Sequence, residues 1–88
     1  MKKILCFINV FSANANVYSH DPEKGEELLC RVSLETLAND LVDLSHSTNL
    51  NHITLIGSPR YSEGITSEIL EYARTQYNMN DLIVEVMK

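Results

Sequence analysis

The spacing of apolar residues changes along the chain, and its first third predicts three antiparallel strands. An almost continuous apolar run at 4–11 is typical of a strand covered on both faces at the centre of a sheet. Two shorter runs, at 17–20 and 27–32, predict two more strands. The segments between them, 12–16 and 21–25, hold the Asn, Ser, Pro and Gly residues that favour turns. We therefore expect the chain to start with a hairpin whose loop has about five residues.

The spacing becomes helical after Ser33, a residue type that commonly caps a helix N-terminus. Apolar residues then recur three or four positions apart, at Leu34, Leu37, Leu41 and Leu44. The polar segment 49–51 ends this helix, and the apolar run at 52–56 predicts a fourth strand.

A second helix is predicted between this strand and a fifth strand at 82–86. The apolar face of the helix consists of Ile65, Ile69, Leu70, Ala73 and Tyr77. Two starts are compatible with the pattern: Ser58 with Pro59 at the first helical position, or Ser62. The polar turn 78–81 separates this helix from the last strand.

These elements follow one another as strand, strand, strand, helix, strand, helix, strand. The fourth and fifth strands are joined by a helix, so we expect them to be parallel. The predicted fold class is α/β, with a mixed five-stranded sheet and two helices on at least one of its faces. A length of 88 residues allows a single domain, 1–88.

The start of the chain also imitates a secretory signal peptide, because two lysines precede the apolar run and an A-x-A pattern follows it. The run has only eight residues and is interrupted by Asn9. We interpret it as a strand and expect the cytoplasm as the compartment. No apolar stretch approaches the roughly 20 residues that a membrane-spanning helix needs.

Residue types that carry chemistry in other proteins are isolated in this sequence. His20, His46 and His52 have no metal-ligand spacing, and no nucleophile, phosphate-loop or dinucleotide motif is present. Cys6 and Cys30 lie in apolar runs, which favours buried thiols over a disulfide or a nucleophile. We predict no catalytic residue, no metal site and no cofactor.

Seven Lys and Arg against twelve Asp and Glu give a net charge of −5, which disfavours direct binding of nucleic acid. The acidic residues concentrate between positions 21 and 43. If they share a face, that face is a candidate for docking a basic protein partner, or it is a solvated surface that maintains solubility. The candidates are Glu26, Glu27, Glu35, Asp40 and Asp43.

The turn after the fourth strand is the best candidate ligand site. It leaves the carboxyl end of an inner strand and enters a helix N-terminus, a place where open α/β sheets bind anions. The candidate residues are Gly57, Ser58, Arg60 and Ser62, with Asn14 and Asn16 of the first hairpin facing the same crevice. The alternative is a capped turn with one solvated arginine.

The element order resembles the ribonuclease H-like and actin-like superfamily. Segment 7–18 resembles that group's opening hairpin, in which a carboxylate lies in mid-strand just before a small turn. Segment 53–58, running on into the second helix, is similar to the strand, turn and helix that hold nucleotide in actin-like ATPases. The resemblance implies a ribonuclease H-like topology.

The same resemblance implies a metal-binding carboxylate on the first strand, and this chain departs from it there. The matching position is Asn9, whose neutral amide is a much weaker ligand for a hard dication. The fourth strand has no Asp or Glu either. Catalysis by the family's two-metal route is therefore not expected.

The sequence favours a non-catalytic, small acidic protein that acts as a protein-interaction module. Such proteins are often encoded by phages or other mobile elements, although no residue pattern indicates that origin. The alternative is a nucleotide- or phosphate-binding domain that uses the 57–62 turn, and a metal-dependent nuclease is the third hypothesis. Homodimerisation is a further expectation, because a small sheet has exposed edges and Tyr72 lies at the margin of its helix.

Overall fold

The computed structural model describes residues 2–87 and confirms the predicted order of elements. The strands are β1 (Lys3–Asn9), β2 (Asn14–Asp21), β3 (Gly25–Ser33), β4 (His52–Ile56) and β5 (Ile83–Val86). The helices are α1 (Leu37–Thr48), which follows a 3₁₀ turn at Leu34–Thr36, and α2 (Pro59–Tyr77). None of the helices in this part of the chain is both long and apolar enough to cross a membrane.

The five strands form one mixed sheet in the order β3-β2-β1-β4-β5. β2 is antiparallel to both β1 and β3, whereas β4 is parallel to both β1 and β5. The expected parallel relation of the last two strands is therefore confirmed. The register between β2 and β3 shifts after Val17, which leaves Leu29 as a bulge residue.

The first strand ends earlier than predicted, at Asn9 instead of Phe11. The Asn9 side chain explains this end, because its Oδ1 accepts the backbone N–H groups of Phe11 (3.0 Å) and Ser12 (3.2 Å). This arrangement turns the chain at once. The hairpin loop consequently has four residues, 10–13, where five were expected.

One hydrophobic core lies between the sheet and the two helices. Its strand residues alternate along β1 as Ile4, Cys6 and Ile8, and its fully buried helix residues include Leu41 and Ile69. β1 is the central strand, as expected, but the helices cover only one of its faces, and on the opposite face Leu5 is buried (7%) while Phe7 is 37% exposed. Both helices pack on the same side of the sheet and against each other.

The helix ends match part of the predicted capping. Ser33 Oγ accepts the N–H of Glu35, so Ser33 caps the 3₁₀ turn Leu34–Thr36, and the α-helix expected from Leu34 begins only at Leu37. The second helix begins at Pro59, not at Ser62. Ser58 occupies the N-cap position, but its backbone is left-handed (φ 48°) and its side chain forms no capping hydrogen bond. The Ser62 hydroxyl is buried and donates to the carbonyl oxygen of Gly57 (3.0 Å).

The two cysteines are free thiols, and the sheet keeps them apart. Cys6 lies on β1 and Cys30 on β3, and both are in register with Val17 of the intervening strand β2. Two strand spacings amount to about 10 Å, beyond the Cα separation of roughly 4.4–6.8 Å that a disulfide needs. Cys6 is fully buried, and Cys30 is partly buried.

Candidate functional site

The predicted ligand turn is held by a close approach between two strand ends. Gly57 follows β4 with φ +83°, a backbone conformation that favours glycine. A Cβ atom built on Gly57 would lie 2.8 Å from the backbone oxygen of Ile8, so the ends of β1 and β4 leave no room for a side chain. The turn is therefore a tightly fitted connection into α2.

The surface beside this turn is a shallow, mainly apolar hollow. It is lined by Val10, Ser58, Pro59, Arg60 and Tyr61. Arg60 is exposed, while Ser62 is buried inside the helix and engaged with Gly57. The structure thus brings Ser58 and Arg60 together at the helix start, beside apolar neighbours.

The two asparagines expected at the same crevice are engaged elsewhere. Asn14 Oδ1 accepts the hydroxyl proton of Ser12 (2.8 Å). Asn16 Oδ1 accepts from Arg31 Nε (2.8 Å), across the pair β2 and β3. Neither asparagine lines the hollow at the start of α2.

The candidate acidic residues are spread over several surfaces. Glu26 and Glu27 are successive residues of β3 and point to opposite faces of the sheet. Glu35 lies exposed in the 3₁₀ turn, and Asp40 accepts the hydroxyl proton of Thr36 (2.6 Å). The fifth residue, Asp43, lies between the two helices.

Asp43 joins the helices through two tyrosines. Its Oδ1 accepts the hydroxyl protons of Tyr72 (3.2 Å) and Tyr77 (2.6 Å), and the His46 ring stacks on Tyr77 with 4.1 Å between ring centroids. The hydrogen bond to Asp43 raises the pKa of Tyr77 to about 12. Desolvation, followed by the charge of Asp43, raises the pKa of Tyr72. Tyr72, expected at an intermolecular margin, thus takes part in a contact within the chain.

The face of the sheet opposite the helices, here called the open face, carries the largest feature that the sequence analysis missed. A diagonal band of apolar side chains crosses β3, β2, β1 and β4 and continues to Met87, just after β5, and we call it the apolar stripe. It consists of Leu28, Tyr18, Leu5, Phe7, Ile56 and Met87. Leu28 is 52% exposed and Met87 56% exposed, Tyr18 and Ile56 are partly buried, and Leu5 is buried beneath its neighbours (7%). The Phe7 and Tyr18 rings pack edge to face, with centroids 5.4 Å apart.

Two polar flanks border the apolar stripe. The Arg31 flank consists of Asn16 and Arg31, near the ends of the strands where β1 terminates. The Glu85 flank lies on the other side and consists of Lys3, His20, Glu26, His52, Thr54 and Glu85, with the apolar Ile83, 53% exposed, beside His52.

Only some of the polar side-chain atoms in the Glu85 flank have a hydrogen-bond partner within the chain. His52 Nε2 contacts the Glu85 carboxylate, and His20 Nδ1 lies 3.3 Å from Glu26 Oε2 without hydrogen-bond geometry. Within residues 2–87, the buried side-chain atoms that lack a hydrogen-bond partner are His20 Nδ1, His52 Nδ1 and Thr54 Oγ1. All three belong to this flank and lie buried beneath its surface.

The stripe was hidden in the sequence because its members come from separate elements. Leu5 and Phe7 lie inside the continuous run of β1, where alternation is not visible. Tyr18 and Leu28 meet through a register that includes the bulge at Leu29. The signal that was available is that the chain has only two helices for the two faces of a five-stranded sheet.

Over the described residues, no group of three or more His, Cys, Asp or Glu side chains is placed to hold a metal ion. Asn9, at the position where the family resemblance implies a carboxylate, is engaged with the backbone of the hairpin turn.

Comparison of this chain with protein-family models, with curated proteins and with solved structures found no significant match.

Proposed function

We propose that this protein is a non-catalytic interaction module that binds a protein partner through the open face of its sheet. The observation that supports this most is the apolar stripe, which crosses four strands, ends at Met87 after β5 and has no helix or second sheet over it. Contiguous exposed apolar surface bordered by polar residues is typical of protein–protein interfaces.

The shape and charge of this surface favour a protein over other ligands. The stripe is broad, and its flanks carry both positive and negative side chains. Phosphate-rich partners need a basic surface, and the chain has a net charge of −5. A protein interface with an apolar centre and a mixed polar rim matches these features.

We also propose a ribonuclease H-like topology without the chemistry that the resemblance implies. The element order and the central position of β1 in the mixed sheet support this topology. Asn9 supports the non-catalytic role, because its side-chain oxygen serves the hairpin turn. We propose the cytoplasm as the compartment, where the free thiols Cys6 and Cys30 remain reduced.

The test is affinity capture with a tagged chain in four forms. They are the wild type, a stripe variant (Leu28→Ser/Met87→Ser), an apolar control (Phe11→Ser) and an acidic variant (Glu35→Gln/Asp40→Asn). Phe11 is 99% exposed and lies outside the stripe, so its replacement removes an exposed apolar group of similar size. We expect the stripe variant alone to lose its protein partner. Equal capture by the stripe variant, or capture lost only in the acidic variant, would contradict the open face as the binding surface.

Ligand binding at the 57–62 turn is the alternative, and thermal unfolding separates it from the interaction module. A phosphate or nucleotide bound at 100 times its Kd would add about 2.7 kcal/mol, which is several degrees in Tm for a small domain. The apolar lining around Arg60 leads us to expect no such shift with either ligand. A shift that disappears in Arg60→Ala would favour the ligand-binding domain.

A further inference from the structure

We propose that the open face binds a second copy of this chain, in a symmetric dimer whose two-fold axis runs along the apolar stripe. This inference rests on the proposed function, because it names the partner of the same surface.

The charges on the open face balance, although the protein as a whole is acidic. The Arg31 flank has a net charge of +1, and the Glu85 flank has −1 from Lys3, Glu26 and Glu85. The open face is therefore neutral, while the complete chain carries −5. A strongly basic or acidic partner gains little on such a surface, whereas a partner with the same two opposite flanks is complementary to it.

A two-fold axis along the stripe places opposite flanks on each other. In a symmetric contact the same patch is used by both protomers. A two-fold rotation about the stripe places the partner's copy of a residue at the same end of the stripe but over the opposite flank of the first protomer. Arg31 and Glu26 both lie on β3, on either side of Leu28. Because the stripe crosses β3 obliquely, Arg31 of one protomer consequently lies over the partner's paired His20 and Glu26, where the Glu26 carboxylate is its opposite charge.

This pairing cannot form within one chain. Glu26 pairs with His20 and Arg31 with Asn16, four residue steps apart on β2, which corresponds to about 13 Å in an extended strand. Arg31 instead donates to the neighbouring Asn16. An effect of one of these charges on the other therefore reports a contact between protomers.

The area is sufficient for a specific contact. Five strands spaced about 4.8 Å apart and roughly 22 Å long present about 500 Å² of projected area on each protomer. Two copies thus bury about 1,000 Å² or more, the lower range of specific interfaces. The apolar stripe lies at the centre of this area, and the unpartnered polar atoms of His20, His52 and Thr54 lie within one flank.

The experiment is sedimentation equilibrium on the purified full-length chain over a range of concentrations, with a charge swap. Wild type is compared with Arg31→Glu, with the double variant Arg31→Glu/Glu26→Arg, and with Arg74→Glu. The Arg74→Glu control makes the same charge change at an exposed position of α2, on the helix side of the molecule. Circular dichroism establishes that each variant is folded.

We expect the wild type to dimerise and Arg31→Glu to raise the dimer Kd about tenfold or more, because two like charges then face each other. The double variant restores the wild-type Kd to within about threefold, since both pairs are reversed, and Arg74→Glu leaves it unchanged. A dimer that is insensitive to Arg31→Glu, or a double variant that is not restored, overturns the proposed axis.

A wild type that is monomeric at every concentration overturns the dimer, and the capture experiment then decides the proposed function separately. If the stripe variant loses a different protein, the open face is an interaction surface for that protein. If capture does not depend on the stripe either, both proposals fail.

Discussion

The three glycines of the chain permit a prediction in which backbone strain and steric contact are measured separately. Gly57 and Gly25 both have positive φ, +83° and +93°. A Cβ at Gly57 meets the Ile8 carbonyl oxygen at 2.8 Å, whereas a Cβ at Gly25 meets nothing within 4 Å. Gly64 lies inside α2 in open space, and its φ is not positive. Replacement of each glycine by alanine should therefore change the free energy of unfolding by a different amount.

The magnitudes follow from these differences. Alanine at positive φ costs about 1–2 kcal/mol, partly offset by about 0.4–1 kcal/mol from the stiffer unfolded chain. We expect Gly25→Ala to lower the free energy of unfolding by about 1 kcal/mol. Gly57→Ala has the same backbone cost and must also push the ends of β1 and β4 apart, which is comparable to overpacking a core at about 1–3 kcal/mol. The total loss in the free energy of unfolding is therefore about 2–4 kcal/mol. Gly64→Ala should raise stability by about 0.5–1 kcal/mol, since alanine is the better helix former.

The assay is denaturant unfolding followed by circular dichroism, at one fixed protein concentration because self-association changes apparent stability. The denaturant concentration at the midpoint should decrease in the order Gly64→Ala, wild type, Gly25→Ala, Gly57→Ala. The dependence of the unfolding free energy on denaturant concentration should stay the same in all four proteins. The refuting result is a Gly57→Ala variant that costs no more than Gly25→Ala, because the close approach of β1 to the turn would then contribute nothing.

Three further predictions concern the hairpin, the thiols and the tyrosine pair. Asn9→Ala should lower the free energy of unfolding by about 1 kcal/mol, whereas Asn9→Asp should not, because aspartate still accepts both backbone N–H groups. Chemical denaturation measures both variants, and equal losses of stability would contradict the acceptor role of Asn9. Iodoacetamide should modify Cys30 before Cys6, because burial raises the pKa of Cys6 to about 12. Peptide mapping identifies which cysteine is labelled first, and faster labelling of Cys6 would count against its burial. The pKa of Tyr77 is about 12 against an ordinary 10, so the stabilisation from its bond to Asp43 is complete below about pH 10 and is lost as pH rises toward 12. Ultraviolet titration of Asp43→Asn should show the pKa of Tyr77 moved back toward 10 and the pKa of Tyr72 lowered as well, and an unchanged curve would refute this coupling.

Periodicity was sufficient for the parts of the fold that depend on local pattern. The bounds of β4 at His52–Ile56 and the cap at Ser33 agree with the sequence-based expectations. The end of β1 was missed because it depends on one side chain, Asn9, accepting two backbone N–H groups. The start of α2 was ambiguous because Ser62 resembles a cap but is a buried residue of the helix interior.

The candidate surfaces were harder to predict because they depend on which elements become neighbours. Asn16 was expected at the ligand turn, but strand pairing places it beside Arg31. Asp43 was expected on an acidic face, and helix packing places it against two tyrosines. Both outcomes require the relative placement of whole elements, which local spacing does not contain.

The open face follows from the connections between strands. The turns that join β1 to β2 and β2 to β3 have four and three residues, too few to form a covering layer. The two longer connections each form a helix, and both helices pack on the same side of the sheet. Within the described chain, the second face is therefore covered only by its own side chains. A solvated face of an antiparallel pair would normally be polar. Here Leu28, Phe7 and Met87 remain exposed on it, and their cost in water is removed when another protein surface covers them. The same connections that build the core thus leave the stripe as the surface through which this small domain gains further apolar contact.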